Sequence, residues 1–101
     1  YNFFYHAPTL VIASNVPNYQ NAMADCANAM ENLFLAAHSI GLGSCWINQL
    51  RWLTNVASVR DFLAEAGRPR EQVICCSAAV GYPGQKPPAP ARKEGTSLII
   101  T

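Results

Sequence analysis

Charge is scarce in this chain. Aspartate, glutamate, lysine and arginine make up 13% of its 101 residues, where a globular domain of ordinary composition has roughly 25%. Half of the residues are hydrophobic, so much of the surface must be uncharged, and the economical cause is that further polypeptide covers part of it. The basic residues Arg51, Arg60, Arg68, Arg70, Lys86, Arg92 and Lys93 are scattered, and the formal net charge is only +1. Nucleic acid selects a basic stripe interleaved with stacking aromatics, so no nucleic-acid partner is expected. The one local positive patch, Arg92-Lys93 with Lys86 nearby, suits a single phosphate.

Other absences narrow the chemistry. The uncharged stretch 32–50 is interrupted by His38, Gly41, Gly43 and Asn48, a poor match to the roughly 20 apolar residues of a membrane span. No membrane association is expected, and with no export signal visible the expected location is cytoplasmic. There is no CxxC, and His6 and His38 have no ligand partner three or four residues on, so no metal site is expected. Four cysteines stand at 26, 45, 75 and 76. Cys26 falls in an expected helix, and Cys75 and Cys76 in an expected strand, where adjacent side chains point to opposite faces; that is no disulfide framework. No Ser-His-Asp set and no paired carboxylates occur, and no side chain is identified as catalytic.

What is present reads as alternating strands and helices. Residues 7–13, with Leu10-Val11-Ile12 at their centre, form a short β-branched run that predicts a buried strand. Over residues 19–40 the period changes: Met23, Cys26, Ala27, Met30, Leu33 or Phe34, Ala37 and Ile40 recur at helical spacing. Alanines and Leu35 on the other faces make this helix apolar nearly all round. Such a helix belongs inside an assembly, with solvent confined to a stripe near Asn21, Asp25, Asn28, Glu31 and Asn32.

Gly41 is placed to end the helix in the left-handed conformation. Gly41-Leu42-Gly43 then makes a tight turn into a short strand or extended loop through Ile47. Residues 48–54 are irregular with a helical turn. A second helix over 55–66 carries an apolar stripe of Val56, Val59, Phe62 and Leu63 and stops at Gly67. Residues 72–80, continuous, small or β-branched and uncharged, form the clearest interior strand. Gly81-Tyr82-Pro83 ends it, three prolines follow over 85–91, and Ser97-Leu98-Ile99-Ile100 is again strand-like. After so rigid an arm that run can pair with its own sheet or reach across to a partner. A chain of this length has little interior to spare, so a cofactor site must lie at an edge or an interface.

Several motifs in order carry a resemblance. The strand with Ala7-Pro8, the Ala-rich helix through Asn32-Leu33-Phe34-Leu35-Ala36-Ala37-His38, the Gly41-Leu42-Gly43 turn into Ser44-Cys45-Trp46-Ile47, then Gly81-Tyr82-Pro83 and the basic pair Arg92-Lys93 resemble the second half of the nitroreductase family. The similarity implies an α+β fold, a mixed, mostly antiparallel sheet flanked by helices, in an intertwined homodimer. Residues 1–101 would then be the C-terminal part of one domain, the family's arginine- and serine-containing N-terminal phosphate-binding segment lying outside them.

The resemblance also implies FMN as cofactor, with hydride passing from NAD(P)H to a nitroaromatic, quinone or similar small acceptor. Trp46, Ile47 and Asn48 match the stretch lining the flavin ring, Gly43 and Ser44 the close approach beside it, and Arg92 and Lys93 the basic residues near the phosphate. Flavin chemistry asks little of side chains beyond holding the ring. Plainer readings stand beside each of these. Gly41 and Gly43 make a helix stop and a turn, Trp46 is a core aromatic, and Arg92-Lys93 a solvated pair. Cys45 reads as an inert packed thiol, and Cys75 and Cys76 as fillers on opposite faces. The alternative for the whole is a non-catalytic flavin-binding or structural homologue that requires a partner chain.

Overall fold

Small, β-branched and uncharged residues from 73 to 81 can be enclosed on both faces, and they form the centre of the molecule. In the computed structural model, which describes residues 2–101, the elements are β1 (Thr9–Asn15), α1 (Ala22–Ser39), β2 (Gly43–Ile47), α2 (Gln49–Trp52), α3 (Ala57–Glu65) and β3 (Val73–Gly81). The three-stranded sheet has the order β1-β3-β2, and both pairings are antiparallel. β3 is therefore flanked on both sides, while β1 and β2 each keep one open edge.

Side-chain alternation divides the sheet into two faces. On one, Val11, Ala13, Trp46 and Val80 meet Cys26, Met30 and Phe34 of α1. On the other, Ile12 and Ile74 meet Leu50 of α2 and Val59 and Leu63 of α3, with Phe4 alongside.

Both longer helices end as their glycines dictate. Past α1, Gly41 takes φ +80°; its N–H donates to the His38 carbonyl at 3.1 Å and that of Leu42 to the Ala37 carbonyl at 2.9 Å. Past α3, Gly67 takes φ +105°, with Gly67 to Ala64 at 3.1 Å and Arg68 to Leu63 at 2.9 Å. These are paired Schellman closures, which satisfy carbonyls the helix itself cannot.

Four expectations need correction, at β1, at α3, at Cys75 and Cys76, and at Cys45. β1, expected to be buried, is an edge strand with no buried residue. α1 buries one stripe, Ala22, Cys26, Met30 and Ala37, and Met30, 2% exposed, is covered by this chain's own sheet. A flat sheet reaches only one side of a helix, so Ala24, Ala29, Leu35 and Ala36 stand exposed beside the polar stripe. In α3 only Leu63 of the expected stripe is buried, and Phe62 is 67% exposed, since no element of these residues lies beyond it.

Cys75 and Cys76 do not take opposite faces. Cys76 pairs with Ala13 and Ile74 with Ser14, so the register shifts there. The extra residue, Cys75, brings both thiols into the α1-side cluster, as a bulge does. Cys45 is exposed and unpaired: it lies on an edge strand, and neither core cluster covers it.

Residues 82–101 contain no helix or strand. Leu98, Ile99 and Ile100, the strand-like run of the sequence, are 85–87% exposed.

Candidate functional site

Three short motifs that lie far apart in sequence meet at one end of the sheet. Gly43 and Gly81 are cross-strand partners. A Cβ on Gly81 would lie 2.8 Å from Pro8 Cδ, and one on Gly43 would lie 3.3 Å from Pro83 Cα. At the first distance a side chain could enter only if Pro8 shifted, and the second is tighter than ordinary van der Waals contact. Ala7-Pro8, Gly41-Leu42-Gly43 and Gly81-Tyr82-Pro83 thus form one packed knot, in which each proline lies against a glycine of a neighbouring strand. The close approach at Gly43 is made by backbone of the same chain.

From this knot β2 runs out along its open edge. Ser44 is exposed, Trp46 half-buried, Ile47 buried and Asn48 exposed. The Trp46 ring packs edge-on against Phe34 of α1, with centroids 6.4 Å apart and planes at 64°, a favoured aromatic geometry. Its Nε1–H donates to Asn48 Oδ1 at 2.7 Å. An indole N–H can only donate, so the bond fixes which end of the Asn48 amide is oxygen and turns Nδ2, with its two donors, away from Trp46. Asn48 also stands at the start of α2, but its side chain does not cap that helix. Its Nδ2 is free for other work.

The Ile47 carbonyl accepts a hydrogen bond from the Ser77 hydroxyl at 2.9 Å. Ser77, fully buried, was not singled out from sequence. The clue available was a lone hydroxyl inside an apolar central strand, since a buried polar group needs a partner.

Gly43, Ser44, Trp46, Ile47 and Asn48 therefore share one strand edge. Arg92 and Lys93 lie apart on the exposed arm, where the Lys93 carbonyl accepts from Thr96 Oγ1 at 3.2 Å. Among the described residues no cluster of three or more His, Cys, Asp or Glu could hold a metal ion.

Two open cavities lie on the α3 side of the sheet. One of about 340 Å³ is almost wholly apolar, lined by Phe3, Phe4, Leu50, Val59 and Phe62 among others. The second, about 310 Å³, is bordered by Ile12, Ser14, Leu63 and Arg68. Beside it the Arg68 guanidinium donates to the Gln72 carbonyl, Ser14 Oγ donates to Gln72 Oε1 at 2.6 Å, and Arg68 Nε is buried without a partner. Behind Trp46 the thiols are shielded. Burial, helped by Cys75 as hydrogen-bond neighbour, pushes Cys26 up to about 12, and burial also raises Cys76. Neither is a thiolate nucleophile at neutral pH.

Fold and motif order define an α+β protein with helices on both faces of an antiparallel sheet. Residues 1–82 match the nitroreductase family, and the chain belongs to that family. A nitroreductase from Bacteroides fragilis, solved with bound FMN, is 44% identical and superimposes with a TM-score of 0.92 over 100% of this chain and 55% of its own. Another FMN-bound nitroreductase, from Desulfitobacterium hafniense, gives 0.85 at 21% identity over 98% of this chain and 54% of its own, a likeness of fold. A protein of Archaeoglobus fulgidus that carries the name NADH dehydrogenase/NAD(P)H nitroreductase is 32% identical over 65 residues, 64% of this chain and 36% of that protein. The chain thus spans about half the length of the solved relatives it matches and less of the archaeal one.

Proposed function

We propose that residues 1–101 are the C-terminal part of one nitroreductase domain, acting as an FMN-dependent oxidoreductase that passes hydride from NAD(P)H to a nitroaromatic, quinone or similar acceptor. The observation that carries this reading is the B. fragilis likeness: an FMN-bound relative matched along the whole chain at 44% identity.

The residues at the β2 edge fit a flavin. An isoalloxazine needs a flat apolar support and hydrogen-bond donors along its polar rim. Trp46, half-buried on the α1 side of the sheet, offers the first, Ile47 contributes through its backbone because its side chain is buried, and the Asn48 amide, its orientation fixed by Trp46 Nε1, offers the second. When bound, FMN supplies the two-electron chemistry. Gly43 and Ser44 form the floor where the strand begins, and Arg92 and Lys93 hold the phosphate by charge-assisted hydrogen bonds once the arm is seated.

An intertwined homodimer accounts for what this chain leaves open. β1 and β2 each have one unpaired edge, and Leu98, Ile99 and Ile100 are exposed. Such edges invite strand addition. The outer face of α1, with Leu35 61% exposed among alanines, is flat enough for close approach of a second subunit. Among the described residues no helix is long and apolar enough to cross a membrane, in keeping with cytoplasmic work on small acceptors.

The test uses the full-length protein. Purified material carrying flavin absorbance that bleaches with NADH or NADPH under anaerobic conditions supports the reading. Colourless protein that leaves added FMN unbound overturns it and favours the non-catalytic homologue.

A further inference from the structure

Ser77 is the buried polar side chain among the described residues, set within Ile74, Cys75, Cys76, Ala78 and Ala79, all buried. A hydroxyl at such a position is unfavourable unless it is bonded, and alanine would fill the space without that penalty. Its one partner lies thirty residues away in sequence, the carbonyl of Ile47 at 2.9 Å.

That carbonyl sits where β2 stops. Ile47 opposite Ser77 is the last pair of the β2–β3 ladder, and Asn48 then turns to φ −88°, ψ −29° to begin α2. The peptide between Ile47 and Asn48 is trans, as are all the others described, so its N–H points opposite to its C=O. Holding the carbonyl against β3 therefore aims the Asn48 N–H away from β3, off the open edge. Among the described residues no turn, loop or cap carbonyl accepts from that N–H. The Trp46 bond fixes the Asn48 side chain separately, leaving Nδ2 free as well. Two ties from different elements thus leave the donors of one residue directed into the candidate site.

We propose that Ser77 is a positioning residue for the cofactor: through the Ile47–Asn48 peptide it directs the Asn48 N–H at the acceptor-bearing edge of the bound flavin. The inference rests on the FMN reading above. Ser77 touches neither flavin nor substrate, and its effect is on the flavin's electronic environment and the relative affinity for the two redox forms.

The experiment compares Ser77→Ala, Ser77→Cys and Cys76→Ala in the full-length, FMN-loaded protein. Cys76 is the neighbouring core residue on the α1 side, so its truncation controls for a loosened strand. The readouts are the visible absorption spectrum of the flavin and the ratio of its affinities for reduced and oxidised protein. Loss of one directed hydrogen bond corresponds to about a tenfold change in that ratio. We expect Ser77→Ala to shift the spectrum and change the ratio about tenfold, Ser77→Cys, a weak donor of similar size, to fall between, and Cys76→Ala to match wild type. A Ser77→Cys protein intermediate in both readouts supports the proposal even where Ser77→Ala does not fold. Wild-type spectrum and ratio in the serine variants, or the same change in Cys76→Ala, overturn it while the FMN reading stands. Wild-type protein that binds no FMN overturns both.

Discussion

The central strand and the closing run 96–101 are both uncharged and rich in β-branched residues, yet one is the best-buried part of the molecule and the other among the most exposed. β3 is covered from Ile74 to Ala79, whereas Leu98, Ile99 and Ile100 are open to water. Composition does not separate them; neighbours do. β3 has β1 and β2 on either side and a helical layer on each face, while nothing in these residues pairs with the arm. The inner half of the fold is finished within the chain, and on the proposed reading the outer half is covered by a second subunit.

The largest effect that sharpens this contrast is expected at Met30, whose side chain is enclosed between α1 and the sheet. Met30→Ala should destabilise the protein by about 2–5 kcal/mol, measured by denaturant unfolding, whereas Ile99→Ala should leave subunit stability within about 0.5 kcal/mol. A Met30 variant as stable as wild type would place the core elsewhere.

Next in size is the knot of glycines and prolines. Gly81→Ala must displace Pro8, whose Cδ would lie 2.8 Å from the new Cβ, and should lower stability by about 1–3 kcal/mol. Thermal melting reads this directly.

A matched pair of glycines gives a smaller but cleaner comparison. Gly41 and Gly95 both have positive φ, +80° and +71°, and neither has an atom near its missing Cβ. Any difference between Gly41→Ala and Gly95→Ala must then come from whether the surrounding chain can relax. At Gly41 the closure of α1 holds the conformation, and the substitution should cost about 1–2 kcal/mol. At Gly95 the exposed arm can adjust, so the melting midpoint should stay put. Equal losses at both sites would mean that the arm is held as firmly as the helix end.

The smallest effect is a pH dependence. Cys26 has its folded-state value raised from 9.0 to about 12, chiefly by burial and then by Cys75. An unfolded thiol loses its proton first, so above its ordinary range the unfolded state binds fewer protons and stability falls with rising pH. The thiol's contribution is complete below about pH 9 and is lost as pH climbs toward 12. Cys26→Ala should therefore show a shallower decline over that window in urea titrations. The same slope in both proteins would contradict the assigned burial.

Sequence pattern reached the parts of this structure that rest on local rules. Helical spacing located α1, and Gly41 and Gly67 marked two helix ends because a left-handed residue is needed there. An uncharged run located β3. Long-range geometry was out of reach. The displaced Cys75 depends on the register between β1 and β3, which spacing along one strand does not encode. The contacts of Pro8 with Gly81 and Pro83 with Gly43 join residues that only folding brings together, although each motif was visible singly. Of the candidate site, Trp46, Ile47 and Asn48 were singled out through resemblance, but the bonds from Trp46 to Asn48 and from Ser77 to Ile47 depend on side-chain positions that spacing does not encode. Phe62 was expected within a buried stripe and is exposed, since a sequence shows which faces are apolar and not which polypeptide meets them.

Sedimentation of the full-length protein, followed by flavin absorbance, with and without residues 96–101, bears most directly on the division between a finished interior and an outer half completed by a second subunit. Intact protein is expected to sediment as a dimer with flavin travelling in the same boundary, and removal of the six residues to release both partner and flavin. A monomer holding its full complement of FMN, or a shortened chain that keeps dimer and flavin unchanged, would contradict it.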